Sequence, residues 1–196
     1  GQDKSFIVQV EGQIENNLMV PVGKRFGDIG YIELPPLKVE EQEYIDIVQQ
    51  SIQEIDQTPT CGWIVDLRRH AGGEGPFFES TRPLRKSEDE TFLKKPQAPI
   101  AVLLSSLTYS MGEFTAILIL GVDKAQSFGE ITGGNHPTIS LFRLSNKAKM
   151  GITTFSEIIV PDVEIKNDWR YFQTEDDPVI KTAMEWLMQQ ETCKNE

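Results

Sequence analysis

"PIAVLLSSLTYSMGEFTAILILGV", residues Pro99 to Val122, decides the fold. Its first part, "PIAVLLSS", is a short unbroken apolar run, the pattern of a strand buried on both faces. Its last part, "MGEFTAILILGV", reads as a buried helix that follows directly. The polar break between them is "LTYSMGEF". A serine there has two readings. Ser110 is a nucleophile placed where a helix N-terminus offers unpaired N–H groups and partial positive charge, with the Met111 N–H aimed at an oxyanion. Alternatively, Ser110 is a helix cap with Glu113 reaching back to it, since S-x-x-E is the capping-box spacing. The two are compatible if the glutamate only orders the turn.

Upstream, "CGWIVDLRRHAGG" (Cys61 to Gly73) repeats the arrangement. A buried strand runs into a glycine turn. Gly72 and Gly73 let the backbone bend sharply and approach a ligand closely, and two amides there can cradle a negative oxygen. Taken alone, the two glycines are better explained as a bare tight turn.

The remaining elements fit around these junctions. "SFIVQVEG", "NNLMVPVG" and "GDIGYIELPP" alternate as strands. In "EEQEYIDIVQQSIQEID" the apolar Tyr44, Ile45, Val48, Ile52 and Ile55 fall at three- and four-residue spacing, which predicts an amphipathic helix. Residues 74–97 show no clear period and read as a long loop or lid. "AQSFGEITGGN" predicts a short strand and turn, and "TISLFRLSN" and "KMGITTFSEIIVPDVEI" further strands. "DDPVIKTAMEWLMQQ" predicts a helix capped by Asp177, with Pro178 at its first position and Val179, Ile180, Ala183, Met184 and Leu187 on one face. The order implies an α/β chain with crossover helices and a mixed, partly parallel sheet. All 196 residues are taken as one domain, with 1–27 as N-terminal strands of a truncated upstream subdomain.

Composition narrows the function. A formal charge of −11 excludes phosphate-backbone recognition and anionic membrane surfaces. No apolar run reaches the roughly 18 residues of a membrane span. Cys61 and Cys193 do not make a disulfide framework; Cys61 reads as a buried thiol and Cys193 as part of a polar tail. No cluster of His and Cys has metal-ligand spacing, and no cofactor is called for. Trp63, Trp169 and Trp186 read as core or interface residues.

Together, "GWIVDLRRHAGG", "PIAVLLSSLTYSMGEFTA", "SFGEITGGN" and "VPDVEI" resemble the C-terminal processing (tail-specific) serine proteases, in particular their tricorn-like and interphotoreceptor retinoid-binding-protein-like branch. The resemblance runs from Asp28 to the last helix. It implies a ClpP/crotonase-like spiral of ββα units. By position it makes Ser110 the nucleophile and places the oxyanion hole at the amides of Gly72 or Gly73 and of Met111. It gives Glu113 a structural role at the head of the nucleophile's helix, and Asp66 and Arg68 a salt bridge holding the turn. It further implies an unstructured peptide or protein substrate, an extracytoplasmic (periplasmic or cell-surface) location, and room for a homo-oligomer.

The chain departs from the family at the general base. One branch carries a lysine after the "GE-x-T" strand, where this chain has Asn135. The other carries an upstream histidine in a segment like "D-x-H-S-F", where this chain reads "DKSF" with Lys4 before Ser5. Three readings are open: the base is lost, it lies upstream, or Lys4 serves with a lowered pKa. His70 and His136 are the two histidines. His136 lies in the turn that matches the family's base-bearing turn. His70 reads as a solvated loop residue. Glu157 is the candidate carboxylate for orienting a histidine. The expected activity is therefore serine endopeptidase. A protease-like module that binds peptides or apolar ligands without cutting them is the alternative, and a crotonase-like acyl transferase is a third, for which the chain offers few basic residues.

Overall fold

The computed structural model describes residues 20–36, 39–73, 77–84, 98–134, 138–143, 149–155 and 158–194. The strand expected at "SFIVQVEG" lies outside them.

Six strands form one sheet in the order β1-β2-β3-β4-β5-β8. β1 (Val22–Phe26) and β2 (Ile29–Glu33) are an antiparallel hairpin; β2, β3 (Gly62–Asp66), β4 (Ile100–Leu104), β5 (Ala125–Gly129) and β8 (Val163–Glu164) run parallel. Every residue of β2, β3 and β4 is buried. That burial explains why they are apolar up to the carboxylates Glu33 and Asp66 that end β2 and β3, because helices cover both faces. Alternate side chains divide into two cores. Trp63, Val65, Val102 and Leu104 meet Tyr44, Val48 and Ile52 of α1 (Glu41–Ile55) and Ala116 and Ile119 of α3 (Met111–Leu120). Ile64, Ala101, Leu103 and Phe128 meet Val179, Ile180, Ala183 and Leu187 of α4 (Pro178–Met188) on the other face. A separate antiparallel pair, β6 (Thr138–Arg143) and β7 (Lys149–Phe155), forms a second sheet.

Two expectations change. The segment read as a loop contains a short helix, α2 (Phe77–Ser80), and a 3-10 turn over Arg82–Leu84. Leu84 is buried in the α1-side core, which gives this segment an apolar anchor that its lack of period concealed. The two cysteines are not thiols. Cys61 and Cys193 form a disulfide across 132 residues, with Cα atoms 4.8 Å apart. It fastens α5 (Glu191–Lys194) to the start of β3. Both cysteines belong to the α4-side core, so the C-terminal tail is less polar in its contacts than in its sequence.

Candidate active site

Two turns at the C-terminal ends of adjacent strands meet. β3 leads into the Leu67–Gly73 turn and β4 into the Ser105–Ser110 turn. Polar side chains lace them together. Ser105 Oγ donates to the Arg68 carbonyl at 2.6 Å, and Thr108 Oγ1 to the Leu67 carbonyl at 2.8 Å. The Tyr109 N–H donates to the His70 carbonyl at 3.2 Å. Ser105 and Thr108, both fully buried, escaped the sequence reading. Their signal was the run "SSLT" straight after an apolar strand, where buried hydroxyls require partners.

Ser110 sits at the head of α3 with φ 55° and ψ −119°, a left-handed backbone rare outside glycine. Such strain persists only when the surroundings fix it, and it concentrates at working sites. Here the fixing is explicit. The Ser110 carbonyl accepts the N–H groups of Glu113 and Phe114 at 3.0 and 3.1 Å, while the Ser110 N–H donates to Glu113 Oε2 at 2.9 Å. Glu113 Oε1 accepts Thr132 Oγ1 at 2.5 Å and the Gly134 N–H at 3.1 Å. Glu113 is wholly buried, and it ties the serine turn to the "GEITGG" turn after β5.

Gly72 packs directly on Ser110. A Cβ on Gly72 would lie 2.8 Å from Ser110 Cβ and 3.3 Å from its Oγ, and the residue's φ is +82°. Both facts demand glycine. The Gly72 N–H is already engaged, donating to Nδ1 of His70 at 3.3 Å. Among the described residues the Gly73 N–H and the Met111 N–H have no acceptor. Gly73, with φ +106°, is exposed, and Met111 opens the helix.

His70 is not the solvated residue expected from sequence. It is fully buried, because its carbonyl and ring are wedged between the two turns. Burial pushes its pKa down to about 4, so the ring is neutral at pH 7.

Beneath the turn lies a buried ionic cluster. Arg68 meets Asp66 through Nη2 at 2.7 Å and Asp177 through Nη1 at 2.8 Å, and Tyr31 donates to Asp66 Oδ2 at 2.8 Å. Asp177 does double duty, since its Oδ1 also caps α4 at the Val179 N–H (3.0 Å). Asn167 Oδ1 accepts from Arg68, and the Phe172 ring lies 4.8 Å from the Arg68 and Arg69 guanidiniums. Opposed carboxylates hold the arginine charged despite burial.

Beside the serine turn a cleft of about 580 Å³ is lined by Ser106, Gly129, Glu130, Ile131, Glu164 and Lys166. Leu107, Tyr109 and Ile131 stand exposed near it. Lys4, Asn135, His136 and Glu157 lie outside the described residues. The described site therefore brings together Ser110, Met111, Glu113, Gly72 and Gly73, with Asp66 and Arg68 behind the turn.

Solved structures share this architecture. The tricorn protease matches 86% of this chain and 18% of its own, with a TM-score of 0.62 and 18% identity. The photosystem II D1 C-terminal processing protease matches 70% of this chain and 42% of its own, with a TM-score of 0.52 and 17% identity. A lipoprotein from Streptococcus agalactiae matches 86% of this chain and 69% of its own, with a TM-score of 0.60 and 18% identity. No protein-family model and no curated protein matches the chain. The fold is that of the C-terminal processing and tricorn proteases, as the sequence motifs implied.

Proposed function

We propose that the chain is the catalytic domain of a serine peptidase acting on extended, unstructured peptides. The observation that carries this reading is the strained Ser110 at the head of α3, held against Gly72 of the glycine turn. Ser110 Oγ attacks the peptide carbonyl carbon, and the carbonyl oxygen takes the electron pair and is met by the amides of Gly73 and Met111. Collapse of that intermediate expels the amine and leaves an acyl-enzyme, which water then hydrolyses. Gly73, and not Gly72, supplies the first amide, because that of Gly72 is taken by His70. The Ser110 proton needs a base. Lys4 and His136, the latter oriented by Glu157, are the candidates this chain offers from its sequence alone, and they rank behind a base supplied from upstream or one that is lost.

The cleft beside Ser106 and Ile131 gives an extended chain a place to lie. The Cys61–Cys193 disulfide supports an oxidising, extracytoplasmic compartment. So does the likeness to a lipoprotein. A non-cutting peptide-binding module is the second reading. It is favoured by His70, the described histidine nearest the serine turn, being committed to Gly72.

Turnover of a fluorogenic, unstructured peptide library by this chain and by Ser110→Ala separates the two. Cleavage lost in Ser110→Ala supports the peptidase. Binding of the same peptides with equal affinity by both proteins, and no cleavage by either, supports the module.

A further inference from the structure

We propose that His70 is a positioning residue for the oxyanion turn: its Nδ1 accepts the Gly72 N–H and thereby presents the next amide, that of Gly73, to the substrate oxygen. The inference rests on the reading of Ser110 as nucleophile.

Geometry carries it. His70 sits in the turn between Arg68 and Gly72, yet it is fully buried. Its backbone is fixed at both ends: its N–H donates to the Leu67 carbonyl at 2.9 Å, and its carbonyl accepts the Tyr109 N–H at 3.2 Å. Gly112 presses on it so closely that a Cβ there would lie 2.2 Å from the His70 carbonyl oxygen and 3.2 Å from its Cβ and Cγ. A ring held this way has little freedom to turn. Its Nδ1 meets the Gly72 N–H at 3.3 Å. Gly72 and Gly73 both have positive φ, +82° and +106°, a conformation glycine leaves easily unless something holds it. The hydrogen bond to Nδ1 is that hold.

The bond also fixes the tautomer. An Nδ1 that accepts carries no proton, so the neutral ring is protonated at Nε2. Adding a second proton puts a donor opposite the Gly72 donor and removes the bond. Among the described residues, the ionisable groups of the neighbouring elements have these partners: Glu113 of α3 meets Ser110, Thr132 and Gly134, Arg68 meets Asp66 and Asp177, and Arg69 meets Glu33. The lowered pKa keeps the ring in its accepting form at neutral pH.

Asparagine is the discriminating replacement, because its Oδ1 accepts like Nδ1 but does not titrate. The first arm measures the rate of Ser110 modification by a fluorophosphonate between pH 4 and 8 in the wild type, His70→Asn and His70→Leu. His70→Leu is expected to slow labelling on the order of 10²-fold, the cost of losing one oxyanion donor. His70→Asn is expected to restore the rate and to lose the acid limb. A leucine variant labelled at the wild-type rate, or an asparagine variant as slow as leucine, overturns the proposal.

The second arm needs neither a variant nor a reactive serine. "AG" occurs once in the chain, at Ala71–Gly72, so carbonyl-¹³C alanine with ¹⁵N glycine selects the Gly72 amide alone by NMR. The Gly72 amide proton is expected to shift as one histidine titrates well below the ordinary value. This result upholds the positioning role even where Ser110 proves unreactive. A Gly72 resonance indifferent to pH down to the unfolding limit overturns it.

Discussion

Glu113 Oε2 accepts the backbone N–H of Ser110 at 2.9 Å, while its other oxygen holds Thr132 and Gly134. One buried carboxylate thus joins the serine turn after β4 to the glycine turn after β5. Among the described residues three donors meet its two oxygens, an arrangement an amide cannot match. Glu113→Gln turns one acceptor into a donor, and an unmet buried group costs about 1–3 kcal/mol. The expected outcome is a loss of that size in urea unfolding, with slower labelling of Ser110.

Gly112→Ala tests the contact between the turns. At an exposed helical position alanine is better than glycine by about 1 kcal/mol. At this position a Cβ would lie 2.2 Å from the His70 carbonyl oxygen, a backbone atom that cannot swing aside. The clash outweighs the propensity, so the variant is expected to be less stable than wild type in thermal melts. A gain in melting temperature would show that the turns are not in contact.

Acid stability follows from His70. Its pKa falls from 6.5 to about 4 on folding. Between those values the unfolded chain holds a proton that the folded chain lacks, so folding stability rises with pH across that window. The stabilisation is fully present above about pH 6.5 and is lost as pH falls to about 4. Its size is roughly 3 kcal/mol, at about 1.4 kcal/mol per unit. Urea titrations at several pH values check it, with His70→Asn expected to show a shallower acid loss than wild type.

Removing the disulfide should loosen the C-terminal tail. The bond spans 132 residues, and chain-entropy estimates for such a loop approach about 5 kcal/mol, with measured values of about 2–5. Cys61→Ser with Cys193→Ser is expected to lower stability within that range. It should also speed hydrogen exchange in α4 and α5, which the bond anchors to β3. Unchanged exchange there would mean that α4 packing alone holds the tail.

Local pattern made much of the fold legible. Tyr44, Val48, Ile52 and Ile55 form the buried stripe of α1 because helical spacing is written in neighbouring residues, and Ile45 at the edge of that stripe is only partly buried. Asp177 caps α4 as its place before Pro178 required. β4 is apolar throughout, and β3 is apolar up to Asp66, because both faces are covered. Pairings between distant residues were not legible. Nothing near Cys61 indicates Cys193, and a half-polar tail conceals a buried sulfur. His70 looked solvated because its burial comes from Gly112 and Tyr109, which are distant in sequence and close only after the strands align. Asp177 as a partner of Arg68 was hidden for the same reason. The serine turn itself was visible, since a polar break between two apolar runs is a local signal. The general base was not, and its candidates Lys4 and His136, with the orienting carboxylate Glu157, lie outside the described residues.

The most direct test is fluorophosphonate treatment of the 196-residue chain. Intact mass is read before and after, alongside Ser110→Ala. A single adduct on the wild type and none on Ser110→Ala is the expected result, and it establishes Ser110 as an activated nucleophile. An unmodified wild type, tested also with the upstream sequence attached, would contradict the peptidase and leave a peptide-binding domain on a protease fold.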